Sequence, residues 1–236
     1  MPAPDRMDER LRALGLVEAQ RTAEALFAGV TARGLIAPGR SEYEVTDRIG
    51  ALHRESSVAG APWPGRLVLS GRHTLLPCGQ EPRADRVIDV DDIVIARFGP
   101  LLLGGHGTDF ARTLVLGDDP DRLRLHEDLP KVFAAAREAY QADAGISGRE
   151  LHEVLRALAA KAGWSLGGWQ AGHLVGEVPA PHPRGARAEA YIGPDNGRPL
   201  RRTVQGGWQA HWLLEVHLVD EHRGFGGSFK QLLALI

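Results

Sequence analysis

The stretch Asp91–Gly117, DDIVIARFGPLLLGGHGTDFARTLVLG, decides how this chain folds, and the terminal stretch His211–Ile236, HWLLEVHLVDEHRGFGGSFKQLLALI, is its counterpart. Each reads as an apolar strand, a Gly-containing turn and a second strand, which is the pattern of a hairpin. Each also sets charged residues where the apolar run would continue: Arg97 and Asp109 in the first, Glu215 and Lys230 in the second. An ionisable side chain within a core strand must pair, bind a ligand or take part in chemistry, because burying a lone charge is very costly. With His173 of AGHLVGE, these four residues form the candidate active centre.

Outward from the hairpins, the sequence predicts helices. From about Asp8 to Arg33 the apolar residues Leu11, Leu14, Ala19, Ala23, Leu26 and Val30 recur at near-helical spacing, and Gly34 with Pro38 ends the run. Ser41 and Glu44 form a capping box that opens a second helix through about Glu55. The Gly/Pro-containing stretch Gly60–Gly65 leads into a short predicted strand, RLVLS. After Gly117 a turn through DDPDRLRLHEDL leads to a helix from about Leu129 to Asp143, and Ser147 with Glu150 caps a further helix through Ala162. The Gly-rich segment Gly163–Glu177 reads as extended. The thirty residues from Val178 to Gly207, with prolines at 179, 181, 183, 194 and 199, read as a long covering loop.

The order therefore repeats: helix, capping box, helix, extended segment, charged hairpin. Ser41 maps onto Ser147 and the first hairpin onto the second. The expectation is an α+β fold forming one domain over residues 1–236, with two pseudo-twofold halves at about 8–117 and 118–236. Helices would cover one side of a mainly antiparallel sheet, and the two hairpins would meet at the centre.

Composition narrows the function. The net charge of -2 gives no reason to expect a nucleic-acid or membrane-surface partner. The single cysteine, Cys78, rules out an internal disulfide, suits a reducing compartment and reads as a packing residue. No apolar run reaches the roughly 18 residues of a membrane span. The polar start MPAPDRMDER has no signal-peptide character, so the cytoplasm is the expected location.

Five segments in order carry a resemblance. TDFARTLVLG, AGHLVGE and HWLLEVHL, flanked by DDIVIARFGP and FGGSFKQLLAL, resemble the Asp-bearing, Gly-His and Glu-bearing segments of the "pita-bread" M24 family of creatinases, methionine aminopeptidases and proline-specific peptidases. The likeness covers nearly the whole chain and is greatest to short Xaa-Pro peptidase-like members. It implies the pita-bread fold, a peptide-like or small-molecule substrate and a homodimer. Peptidases of the family hold two metal ions on two Asp, one His and two Glu. By resemblance Asp109, His173 and Glu215 occupy three of those positions, but Arg97 stands at the first Asp and Lys230 at the last Glu.

That departure has a consistent electrostatic reading. Asp109 and Glu215 supply two negative charges, and Arg97 and Lys230 two positive ones, so the site is neutral without metal. Neither a guanidinium nor an ammonium has a lone pair to offer a cation. The expectation is therefore crossed salt bridges, no metal and no cofactor. Creatinases of this fold work without metal, so the resemblance makes His173 the acid/base, with Glu215 and Asp109 orienting it. Arg97 and Lys230 would bind a substrate anion or stabilise developing charge.

Other residues complete the candidate set. His211, Leu213, Glu215 and His217 share one face of a strand, so two imidazoles flank the carboxylate. They form a substrate wall, or Glu215, with or without His217, joins Asp109 and His173 in a single-metal site. His106 in GGHGTD lies at the pocket mouth or in an exposed loop, and His182 lies near a proton-donating position of the family. His173 itself either performs the chemistry or only satisfies buried polar groups. Arg112 is expected to brace its strand by pairing with a carboxylate. Arg184, Arg187, Arg198, Arg201 and Arg202 either draw in an acidic ligand or sit on a solvated loop. Trp164, Trp169, Trp208 and Trp212 form a pocket wall or pack the core. Three functions follow: a metal-independent enzyme on a small amide, amidine or amino-acid-like substrate, a non-catalytic peptide- or protein-binding module, and a metallopeptidase with a reduced site.

Overall fold

A computed structural model of the chain describes residues 6–55, 67–103, 106–177, 180, 182–183 and 187–234. The side chains of Glu55 and of residues 100–107 lie outside this description, as does the Gly60–Gly65 stretch. The first half runs α1 (Arg6–Ala32), α2 (Glu42–Glu55), β1 (Val68–Ser70), a 3-10 turn (Gly71–Leu75), β2 (Ile93–Leu103) and β3 (His106–Val115). The second runs α3 (Pro120–Ala142), α4 (Gly148–Lys161), β4 (Ser165–Leu166), β5 (Gly172–Leu174), β6 (Trp212–Asp220) and β7 (Phe225–Leu232).

Every strand pairing is antiparallel, in the order β1-β2-β3-β7-β6-β4, with β5 also paired to β6. The two long hairpins are β2–β3 and β6–β7, as the apolar runs and their Gly-containing turns predict. They join along β3 and β7 through one ladder pair, Ala111 with Lys230. Side chains stitch the rest of this seam. Thr113 Oγ1 donates to the Ser228 carbonyl at 2.9 Å and accepts from the Ser228 amide at 2.8 Å. Arg112 donates to the Lys230 carbonyl at 3.1 Å, and its guanidinium lies 3.9 Å from the Phe110 ring centre and 3.7 Å from that of Phe229. In place of a carboxylate at ion-pair distance, Arg112 meets the Ala111 and Lys230 carbonyls, the Gln231 side-chain oxygen and two aromatic faces among the described residues. Burial, opposed by the Glu24 charge, pulls this guanidinium down to about 10.

Two apolar clusters back the sheet. In the first half, Ala23, Leu26 and Val30 of α1 pack with Val45 and Ile49 of α2 against Val94, Ala96, Phe98 and Phe110. In the second, Leu125, Leu129 and Phe133 of α3 pack with Leu151 and Leu155 of α4 against Leu214, Val216 and Leu218 of β6. Each large side chain buried in this way contributes about 1.5–3 kcal/mol. Both predicted capping boxes form. The Ser41 amide donates to Glu44 at 2.8 Å and the Ser147 amide to Glu150 at 2.8 Å, while each serine oxygen accepts its glutamate's amide.

One helix boundary differs from expectation. α3 starts at Pro120 rather than near Leu129. Asp119 caps it, accepting from the amides of Asp121 and Arg122, and Pro120 occupies the first turn, where its missing N–H leaves nothing unpaired. The long helix also accommodates Pro130, whose position masked the continuity of the pattern. Among the described residues no helix is long and apolar enough to cross a membrane.

Candidate active site

Sheet register brings the charged residues to one row. Arg97 is paired with Ala111 across β2–β3, Ala111 with Lys230 across β3–β7, and Lys230 with Glu215 across β7–β6. Between the pairs Phe98–Phe110 and Leu101–Thr108 the β2–β3 ladder slips, and Asp109 sits at this irregularity. Gly99 faces it. A Cβ at Gly99 would collide with the Asp109 carboxylate, so the close approach requires glycine.

Lys230 is the hub. Its ammonium nitrogen lies 3.0 Å from Asp109 Oδ2, 2.9 Å from His173 Nε2 and 3.7 Å from Glu215 Oε2. Asp109 Oδ2 also lies 3.2 Å from His173 Nε2. The Lys230 side chain is 3% exposed, that of His173 1% and that of Asp109 16%, so the cluster opens outward on the Asp109 side. Burial alone would raise the carboxyls and lower the amine. The Lys230 charge outweighs it, holding Asp109 far below the usual carboxylate range and Glu215 down to about 2. In return the two carboxylates hold the Lys230 ammonium above its ordinary value.

His173 is set by β5. Its Nδ1 donates to the Leu174 carbonyl at 3.1 Å, which turns Nε2 toward Lys230. β5 lies against β6 closely enough that a Cβ at Gly172, where φ is +138°, would strike the Leu213 carbonyl. Glu215 is fixed from its other side by Ser228 Oγ, which donates to Oε1 at 2.8 Å.

The expected crossing of two salt bridges is not the arrangement found. Lys230 alone meets both carboxylates, and Arg97 donates instead to the Leu76 carbonyl at 3.1 Å. The register explains the difference, since Lys230 is on a strand adjacent to both carboxylates whereas β2 is two strands further from β6 than β7 is. Arg97 still acts on Glu215 through space, helping to lower it. Its Nε is buried and unpartnered among the described residues.

Of the other candidate histidines, His217 shares a small cleft with Glu215 and adds to the lowering of that carboxyl. His217 stands between two carbonyls, Thr74 at 2.7 Å and Gly167 at 3.2 Å, with burial and Arg97 lowering its basicity. His211 is held by Glu9 of α1 at 2.8 Å and does not reach the centre. His182 is exposed, with no hydrogen bond or ion pair to the cluster among the described residues, and the side chain of His106 lies outside them. The tryptophans divide as well. Trp164 and Trp212 belong to the core, Trp169 leans on Tyr191 beside a small cleft shared with Glu215 and His217, and Trp208 lines a separate cavity.

Two neighbours escaped the sequence reading. Cys78, read as packing, places its sulfur 3.8 Å from the Lys230 ammonium, and burial followed by the Glu215 charge pushes the thiol up to about 11. Ser228 braces Glu215 and belongs to the apolar-looking run FGGSFK. Only its even-residue parity with Lys230 on β7 signals its orientation. Among the described residues no group of three or more His, Cys, Asp or Glu side chains is arranged to hold a metal ion.

A curved antiparallel sheet of paired hairpins, helix-backed and with its polar row at the seam, defines an α+β pita-bread protein. The chain belongs to metallopeptidase family M24, whose model matches residues 15–203. No curated protein sequence matches it. Among solved structures it is similar to a dipeptidase PepE from Mycobacterium ulcerans, at 25% identity and TM-score 0.69, over 92% of this chain and 53% of that one. An X-Pro aminopeptidase from Thermotoga maritima superposes at TM-score 0.71 and 20% identity, over 99% of this chain and 62% of that one. A methionine aminopeptidase from Thermotoga maritima shares the fold at TM-score 0.62 and 16% identity, over 94% and 89% of the two chains. The chain thus spans only 53% and 62% of the first two relatives' length.

Proposed function

We propose that this chain is an M24 peptidase-like protein that works without metal on a peptide-like or small amide, amidine or amino-acid-like substrate. His173 is its acid/base, and Lys230 stands where the family places a metal ligand. The observation that carries this reading is the Lys230 ammonium, 2.9 Å from His173, 3.0 Å from Asp109 and 3.7 Å from Glu215. The family's dinuclear centre does not fit such a donor set. An ammonium has no lone pair, and a divalent ion among these donors would meet a like charge at contact distance in a partly desolvated cleft.

The side chains then divide the work. The Leu174 carbonyl fixes the His173 ring, and Nε2 offers its lone pair to Lys230. A substrate oxygen that takes over the ammonium's hydrogen bond frees Nε2 to accept and return a proton. The ammonium meanwhile stabilises negative charge as it develops on that oxygen. Asp109, on the open side, orients the substrate, Glu215 fixes Lys230, and the Arg97 guanidinium, whose Nε has no partner among the described residues, offers a second cation for an anion. A cytoplasmic homodimer belongs to this proposal as an expectation from the family.

One feature favours a second reading, a non-catalytic peptide- or protein-binding module: the ionised groups at the centre already satisfy one another. Elemental analysis combined with turnover of peptide, amide and amidine panels in chelator separates the readings. The expected result is substoichiometric metal, with turnover that chelator leaves intact and His173→Ala abolishes. Near-stoichiometric zinc, manganese or iron, or activity that depends on added metal, overturns the proposal. A peptide bound by the wild type without turnover assigns the chain to the second reading.

A further inference from the structure

Beside this centre, a cavity of about 420 Å³ opens between α1 and the loop before β6, and it touches the Lys230 cluster only through Leu174, whose carbonyl holds His173. Its lining includes Arg12, Arg187, Arg198 and Arg202 against two acids, Glu177 and Glu189. The volume suits a small metabolite.

These cations are not equivalent. Arg187 is neutralised by Glu177 on the rim. Arg12 is held on one wall by the Gln209 carbonyl at 2.9 Å and by Glu9 at 3.4 Å, with its guanidinium 5.3 Å from the Trp208 ring centre. Arg202 is pinned on the opposite wall by the carbonyls of Pro199 and Glu189, and it lies 5.0 Å from the Trp212 ring centre. Glu9 offsets the Arg12 charge, while Arg202 gives its own hydrogen bonds to carbonyls and feels the Glu189 carboxylate only through space. Arg198 is exposed and has no side-chain hydrogen bond or ion pair among the described residues. It presses on Arg202, whose basicity falls through burial and then through the Arg198 charge. Both guanidiniums line the same cavity, where an anion between them would relieve their repulsion, and a planar fork matches carboxylate and phosphate oxygens.

We propose that this cavity is a binding site for a small organic dianion, a phosphate monoester or a dicarboxylate, clamped by Arg198 and Arg202 with Trp208 as its apolar wall. Binding here is separate from the chemistry at His173 and holds whichever reading of that centre is correct. Phosphates and dicarboxylates share the required pair of negative charges, and the measurement distinguishes them.

Isothermal titration calorimetry on the full chain, with inorganic phosphate, adenosine monophosphate and succinate as probes, tests the site. At least one probe is expected to bind, more weakly as salt rises. Arg198→Ala, which removes no internal contact, should weaken that binding about tenfold or more, as expected for loss of a charge-assisted hydrogen bond. Trp208→Ala should weaken adenosine monophosphate more than inorganic phosphate. Circular dichroism verifies the fold of each variant. Absence of binding for all three probes at millimolar concentration overturns the proposal, as does binding that Arg198→Ala leaves unchanged.

Discussion

Lys230 and His173 meet end to end, ammonium to imidazole, with 2.9 Å between Nζ and Nε2. An ammonium can only donate, and so can a ring nitrogen facing a carbonyl. The contacts with Leu174 and Lys230 suit the tautomer with its proton on Nδ1 and its lone pair on Nε2, whereas Asp109, 3.2 Å from the same Nε2, suits a proton there. Lys230 thereby favours the first tautomer of the residue assigned the proton transfer. Its own charge is fixed in turn by Asp109 and Glu215.

Removing that ammonium should be costly. Lys230→Met leaves two carboxylates buried without their shared cation, which corresponds to about 3–5 kcal/mol of lost stability. Urea unfolding measures it. Adding Glu215→Gln in the Lys230→Met background should recover part of the loss, because the two residues are coupled. Strict additivity of the two substitutions would contradict the pairing.

Reversing both cationic positions should restore affinity for metal. The double variant Arg97→Asp with Lys230→Glu places carboxylates at the two positions to which the resemblance assigns the family's first Asp and last Glu. It is expected to retain manganese or zinc through gel filtration, and to gain about 2.7 kcal/mol of stability at a hundredfold excess of metal over Kd. The wild type should show neither effect. Equal metal content in the two proteins would remove the electrostatic basis of the reading.

The acid limb of stability should report the same cluster. Glu215 moves from 4.5 to about 2 on folding, and Asp109 is lowered as well. Their contribution is complete above the unfolded values and fades as pH drops from about 4.5 through 2. Lys230 is raised from 10.5, so its contribution persists through neutral pH and is lost only well into the alkaline range. Unfolding free energy measured against pH should therefore fall steeply in acid. Glu215→Gln should flatten that slope.

Cys78 should be nearly inert in the native state. Its thiol, pushed up to about 11, supplies very little thiolate at neutral pH. Alkylation by iodoacetamide should be slow for the folded protein and become complete on denaturation. Rapid native labelling would mean that the thiol is not held beside Lys230 as described.

Much of the architecture was legible because its signals are local. Apolar runs interrupted by charges and joined through glycine-containing turns mark both hairpins, and the two Ser-x-x-Glu boxes mark the starts of α2 and α4. What the chain did not disclose is long-range. The choice of Lys230 over Arg97 as the partner of both carboxylates depends on register across four strands. His211 is claimed by Glu9, 202 positions away. Cys78 lies in an irregular segment whose residues have no period, so nothing marked its approach to the centre. The start of α3 was missed for a local reason, an Asp-Pro cap read as a turn.

The single rung between Ala111 and Lys230 has a further consequence. The residue that joins the two hairpins by its backbone also neutralises the cleft by its side chain, so occupancy and cohesion share one atom chain. A guest that draws the ammonium outward tugs on the only backbone rung described between the molecule's halves. Amide exchange along β3 and β7 would therefore serve as a gauge of what the cleft contains, even for a compound that the protein never transforms.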